Sequence, residues 1–199
     1  DSFVGAMKGV ILSIAPQTQI VDICHDVPAF NGFAAALTLE AACGCFPQNT
    51  VHAAVIDPGV GSARNAVAIR TDKYFFVGPD NGLFELVLRL EKPIQIVRLN
   101  NPDYQRASVS STFHGRDIFA PAAAHLAAGV PIDKLGEPLE KLVSLKMPNP
   151  VQLREGLEIH VIHADHYGNL LTDLTREAYQ DWNRAGQNVV LHVAGAQIA

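Results

Sequence analysis

Charge is scarce in this chain of 199 residues: 18% of its side chains are Asp, Glu, Lys or Arg, and 20 acidic residues outnumber 15 basic ones, leaving a formal net charge of −5. A phosphate backbone is held by clustered cations, and the sequence has no basic tract, so no nucleic-acid partner is expected. Long apolar runs are missing too. The stretch 5–14 is broken by Lys8 and followed by Pro16, well short of the roughly 20 apolar residues a spanning helix needs, so the chain reads as soluble with no membrane partner. Cysteine is limited to Cys24, Cys43 and Cys45. The count is odd, and Cys43-Gly44-Cys45 has no second pair to complete a four-ligand zinc site, so the three read as reduced thiols of a cytoplasmic protein. No signal peptide is visible, and the chain opens on Asp1-Ser2-Phe3 and stops at Ile198-Ala199 in mid-pattern, which reads as a piece of a longer protein. What is plentiful is apolar: 48% hydrophobic residues suffice for a large core in one domain, or one domain and part of another.

Over the first two thirds, apolar runs of strand length alternate with segments of helical period, the pattern of βα units around a mainly parallel sheet. Helices are expected over 3–15, ended by Pro16, over 31–46, closed by Pro47, and over 82–90 and 117–128. Strands are expected over 19–24, 50–56, 66–70, 74–77 and 94–99. The run Thr50-Val51-His52-Ala53-Ala54-Val55-Ile56 is nearly all apolar, as a strand covered on both faces is. Met147-Pro148-Asn149-Pro150 favours an extended linker. Beyond it the pattern changes to strands over 156–164, 170–174 and 188–193, the first two flanking a hairpin signal at Asp165-His166-Tyr167-Gly168-Asn169. The expected organisation is therefore an α/β domain with a mainly parallel sheet flanked by helices over 1–146, a linker over 147–156, and a small, truncated C-terminal β domain over 157–199.

Asp57-Pro58-Gly59-Val60-Gly61 stands where the buried strand 50–56 ends. The carboxyl ends of strands border the ligand crevice in open parallel sheets, so the Asp57 carboxylate is placed to meet a substrate; organising the Pro-Gly turn is the other reading. Arg64 follows seven residues on, near enough for the glycine-containing loop to fold back and pair its guanidinium with Asp57, which keeps that carboxylate ionised. His114 lies between a polar loop and a helix, where an imidazole facing a cleft titrates near neutral pH, and its significance depends on a partner. Asp80, in Asp80-Asn81-Gly82, follows a strand and precedes a helix, so capping is its first explanation. His163-Ala164-Asp165-His166 has metal-type residues, but a strand puts His163 and Asp165 on one face and His166 in the turn, with no further His-rich motif to supply ligands. Gly59-Val60-Gly61 does not complete a dinucleotide fingerprint, which argues against an ordinary Rossmann methyltransferase or dehydrogenase.

Five segments, Phe3-Val4-Gly5-Ala6-Met7-Lys8-Gly9-Val10, Val55-Ile56-Asp57-Pro58-Gly59-Val60-Gly61, Phe76-Val77-Gly78-Pro79-Asp80-Asn81-Gly82-Leu83, Phe113-His114-Gly115-Arg116-Asp117 and Asp165-His166-Tyr167-Gly168-Asn169-Leu170, together resemble the S-adenosylmethionine hydrolase (adenosyl-hydroxide transferase) family, which is related to the S-adenosylmethionine-dependent fluorinase and chlorinase. The resemblance implies water attack at the ribose C5′ of S-adenosylmethionine to give adenosine and methionine, with no metal or other cofactor. It implies a hydrolytic triad at Asp57, Arg64 and His114, and ligand contacts at Asp165, Tyr167 and Asn169 and at Asp80 and Asn81. It further implies a homotrimer whose sites lie between subunits, a C-terminal β-barrel domain, and strands before Asp1 and after Ala199 that complete the ribose and adenine contacts. A halogenase using the same cleft, or a non-catalytic protein that binds an adenosyl ligand, are the alternatives.

Overall fold

The computed structural model describes residues 2–193 and 196–198. The chain divides into two compact units, Asp1–Leu145 and Lys146–Ala199.

The first unit is a three-layer α/β arrangement. Helix α1 (Phe3–Ile14) ends where Pro16 cannot continue it, and α2 (Gly32–Cys43) is capped by Asn31, whose Oδ1 accepts from Ala34 N at 2.9 Å. Strands β1 (Val51–Ala53), β2 (Ala66–Arg70), β3 (Phe75–Pro79) and β4 (Gln95–Arg98) form one sheet in the order β1-β3-β2-β4. Helix α3 (Glu85–Leu90) lies between β3 and β4 in sequence. Helix α4 (Ala120–Ala127) continues a π-helical turn, Gly115–Phe119.

Alternation along β2 divides the core. Ala66 and Ala68 point to the side where Val77, Val97 and Leu99 meet Phe119, Ala122, Ala123 and Leu126. Val67 and Ile69 point to the other, where Phe76 meets Ala35, Leu39 and Cys43 of α2 and Val87 of α3. Helices cover both faces, so β2 buries residues 66–69 without a polar side, as a sandwiched strand must.

The sheet departs from the mainly parallel one expected. Only β1 and β3 pair in parallel among the described strands; β2 runs antiparallel to both β3 and β4. Residues 71–74 alone join β2 to β3, with Thr71 N donating to Tyr74 O at 2.9 Å, and a parallel pair needs a crossover of a dozen or more residues. No strand forms over 19–24, where Val21 and Ile23 are exposed. The strand expected over 50–56 is confined to Val51–Ala53. The helix expected from 82 begins at Glu85, because Gly82 turns at φ +91°.

In the second unit β5 (Val151–Leu153) pairs with β6 (Gly156–Glu158), β7 (Val161–Ala164) with β8 (Leu170–Thr172), and β9 (Leu191–Val193) with β10 (Ala196–Ile198), all antiparallel. A ribbon thus occupies part of the expected linker. The single strand expected over 156–164 is split at His160, whose N–H donates to Asp173 Oδ1 at 2.8 Å. Helix α5 (Arg176–Trp182), capped by Thr175 through Ala178 N at 3.1 Å, falls in a stretch read as neither helix nor strand.

Candidate active site

Three features of the first unit carry Asp57. Strand β1 delivers the chain to Ile56, whose carbonyl accepts from Asn81 Nδ2 at 2.8 Å, while Asn81 Oδ1 accepts from Leu83 N at 3.2 Å. Asn81 thereby ties the approach to Asp57 to the turn after β3. That turn sits close to β1 because residue 78 is glycine: a Cβ there would run into the carbonyl oxygen of Ala54.

The loop after Asp57 folds back on itself through Val60 N to Asp57 O at 3.3 Å and Ser62 N to Gly59 O at 3.0 Å. Gly61 takes φ +76°, and its α-carbon lies so near Ser111 that a side chain would collide with the Ser111 carbonyl. The loop 57–64 and the loop that ends at His114 are therefore in contact, and Arg64 reaches both sides. Its Nε donates to Asp57 Oδ1 at 2.9 Å and its Nη2 to Asp57 Oδ2, a bidentate pair. The same Nη2 lies 2.9 Å from His114 Nδ1. Both members of the ion pair are nearly buried, with Asp57 6% and Arg64 10% exposed at the side chain. The structure thus brings Asp57, Arg64 and His114 into one cluster.

Hydrogen-bond chemistry fixes the histidine's tautomer. A guanidinium has only donors, so His114 Nδ1 must accept, and the neutral ring carries its proton on Nε2. Burial, followed by the positive charge of Arg64, holds the His114 imidazole below its ordinary range, against the smaller opposing pull of Asp57 and Asp117. At neutral pH the cluster holds one carboxylate, one guanidinium and one neutral imidazole whose Nε2–H has no partner among the described residues. Such a set can orient a water molecule and stabilise negative charge developing on it. It is poorly suited to strong general-base chemistry, since both Asp57 oxygens already accept from Arg64.

Residues 1–136 match the SAM hydroxide adenosyltransferase N-terminal domain. The chain belongs to this family. It is 40% identical over 173 residues to a protein from Salinispora arenicola named (R)-S-adenosyl-L-methionine hydrolase, a match covering 85% of this chain and 66% of that one. The chain accordingly spans slightly less than two thirds of that relative's length. A crystal structure of an uncharacterized conserved protein from Thermotoga maritima superposes at a TM-score of 0.88 and 34% identity, covering all of this chain and 76% of the other. A fluorinase from Actinoplanes sp. is more distant, 29% identical over 94% of this chain and 70% of that one.

The other candidates of this adenosyltransferase-family chain divide by unit. Asp80 is buried, and its carboxylate caps no helix, the cap of α3 being Phe84; Oδ1 instead accepts from Val143 N at 2.7 Å and Oδ2 from Asn65 Nδ2 at 3.4 Å. Asp80 and Asn81 therefore both spend polar atoms on the frame around the cluster. In the second unit Asp165 accepts from Asn169 Nδ2, Asn169 N and Tyr167 N at 2.7–2.8 Å, which draws its pKa down, while Tyr167 is 88% exposed. Asp165 and Asn169 hold the hairpin's shape, and that hairpin presents Tyr167 outward.

Sequence reasoning overlooked Phe119, whose ring lies 5.2 Å from Arg64 Cζ. It also overlooked Asp117, completely buried, which accepts from Arg116 Nε at 2.7 Å and Ser110 N at 2.9 Å. The polar motif around His114 gave a signal for Asp117; nothing near Phe119 marks it as more than a core residue.

Proposed function

We propose that this protein hydrolyses S-adenosyl-L-methionine, water attacking the ribose C5′ to release adenosine and L-methionine. The observation that carries the reading is the closed Asp57–Arg64–His114 cluster, in a chain more similar to a named hydrolase than to a fluorinase. A bond forms between the water oxygen and C5′, the C5′–S bond breaks with its electron pair passing to sulfur, and the water proton leaves to solvent. The leaving group departs as a neutral thioether, so the reaction calls for no metal and no redox cofactor. Catalysis then consists of holding water in line with the C5′–S bond and excluding competing solvent. Asp57 orients the water through its unused lone pairs. His114 Nε2–H donates to it, and the Arg64 charge favours its hydroxide character as the bond forms.

The substrate is a small molecule, and Asp165, Tyr167 and Asn169 are assigned to its binding. Because they belong to a different unit from the cluster, we read the assembly as a cytoplasmic homotrimer in which the C-terminal unit of one subunit closes the site of the next. The three ribbons of that unit are read as parts of a small β-barrel.

Incubation with S-adenosylmethionine in isotopically labelled water tests the central claim. The expected product is adenosine carrying the label at its 5′ oxygen. Recovery of 5′-chloro-5′-deoxyadenosine in the presence of chloride would make the protein a halogenase, and saturable binding with no nucleoside released would make it a binding protein.

A further inference from the structure

We infer that Phe119 is a positioning residue for Arg64, brought to it by the π-helical turn Gly115–Phe119; its kinetic consequence rests on the hydrolase reading above, and its structural consequence does not. The turn has a cause in the sequence. Pro121 has no N–H and its ring crowds the carbonyl four residues back, which belongs to Asp117. That carbonyl turns aside and accepts from Arg106 N at 3.0 Å, while Ala120 N reaches back five residues to Gly115 O.

The change of period decides which side chains share a face. On an α-helix at 3.6 residues per turn, positions five apart are rotated by about 140° and face different ways. In a π-turn of about 4.4 residues they are rotated by only about 50°. His114 and Phe119 are five apart, and both meet Arg64: His114 Nδ1 at 2.9 Å from Nη2, and the Phe119 ring centroid at 5.2 Å from Cζ. Asp57 and His114 fix the guanidinium within its plane. The fully buried Phe119 ring is the contact in a different direction, stopping the plane from tilting away. Asp117, within the turn, accepts from Ser110 N at 2.9 Å and so ties the turn to the loop before His114.

The test compares Phe119→Met, which fills the volume without a ring face, with Phe119→Tyr, which keeps one. Loss of the face lets Arg64 leave His114, so the His114 titration midpoint followed by NMR should rise toward its ordinary value in Phe119→Met and return toward the original in Phe119→Tyr. Under saturating S-adenosylmethionine, Phe119→Met should lower kcat about tenfold, the order of a partly desolvated cation–aromatic contact, with KM nearly unchanged. In the unaltered protein the Arg64 side-chain protons should show ring-current shifts from Phe119, a measurement that stands even if Phe119→Met does not fold. An unmoved His114 midpoint in a folded Phe119→Met, or an Arg64 without ring-current shifts, overturns the inference. Absence of turnover in the unaltered protein overturns the hydrolase reading alone, since the titration and ring-current measurements still decide the role of Phe119.

Discussion

At the scale of single residues, the chemistry turns on how Asp57 is shared. A carboxylate that accepts two hydrogen bonds from one guanidinium has its charge largely matched, and what it keeps for a ligand is direction. Asp57→Asn preserves size and one acceptor but leaves the nearly buried Arg64 cation without its counter-charge. The chemical step should slow by about 10² to 10⁴, because both the orientation of water and the place of Arg64 depend on that charge. Affinity for S-adenosylmethionine should change far less, since the contacts to its adenosine and methionine ends remain. Single-turnover rates set against equilibrium binding separate the two; equal losses in both would assign Asp57 to binding. Folding should weaken as well, by less than the roughly 3–5 kcal/mol typical of a buried pair stripped of one partner, because the amide oxygen still accepts.

Among elements, the contact between the 57–64 loop and the loop before His114 assembles the cluster, and Gly61 is its fulcrum. Gly61→Ala meets both a left-handed φ of +76° and the Ser111 carbonyl, whereas Gly129→Ala meets a similar φ of +88° with no atom within 4 Å. The first should cost about 1–3 kcal/mol and separate Arg64 from His114, with a large loss of turnover; the second should cost about 1 kcal/mol and leave turnover alone. Denaturation midpoints and rates for the two variants check this, and equal activity in both would mean the loops need not touch. The same elements mark how far the sequence can be read. Asp57 and Arg64 are legible as a pair because seven residues with two glycines make a loop that closes locally. His114 lies 50 residues further along and is linked to them only through the resemblance of its motif, since spacing carries no information about a contact across the core. The turn after β3 reads as a helix cap at Asp80, but the actual partner, Val143 N, is 63 residues away. Strand β2 is legible from its apolar run; its antiparallel pairing follows from a connection too short for a crossover. The π-turn has a clue in Pro121, which periodicity counts as one more helical residue.

For the whole molecule, the weak point toward acid lies at the start of the sheet. His52 on β1 is buried between Phe46, Tyr74 and Phe76, stacked on the last at 5.3 Å, and its Nε2 has no hydrogen-bond partner among the described residues. Burial pushes its pKa from 6.5 down to about 4. The folded protein therefore binds a proton less readily than the unfolded chain. This histidine's contribution is fully present above pH 6.5, declines as pH falls from 6.5 toward 4, and is exhausted below that. A separation of this size corresponds to about 3 kcal/mol, taken from a fold that typically has about 5–15 to spare. Burial depresses His125 in the same direction. His52→Phe keeps an aromatic ring against Phe76 and removes both the proton site and the orphaned nitrogen. At pH 7 it should match or exceed the original by about 1 kcal/mol, and its advantage should widen steadily between pH 6.5 and 4 in denaturant titrations run at each pH. An advantage that stays constant over that range would mean the His52 imidazole takes up its proton equally readily in the folded and unfolded states, and the acid sensitivity would have to arise elsewhere. Since β1 leads directly to Asp57, unfolding in denaturant at each pH should also abolish the cluster, so the denaturant concentration that halves activity should fall together with the unfolding midpoint as pH drops from 6.5 toward 4.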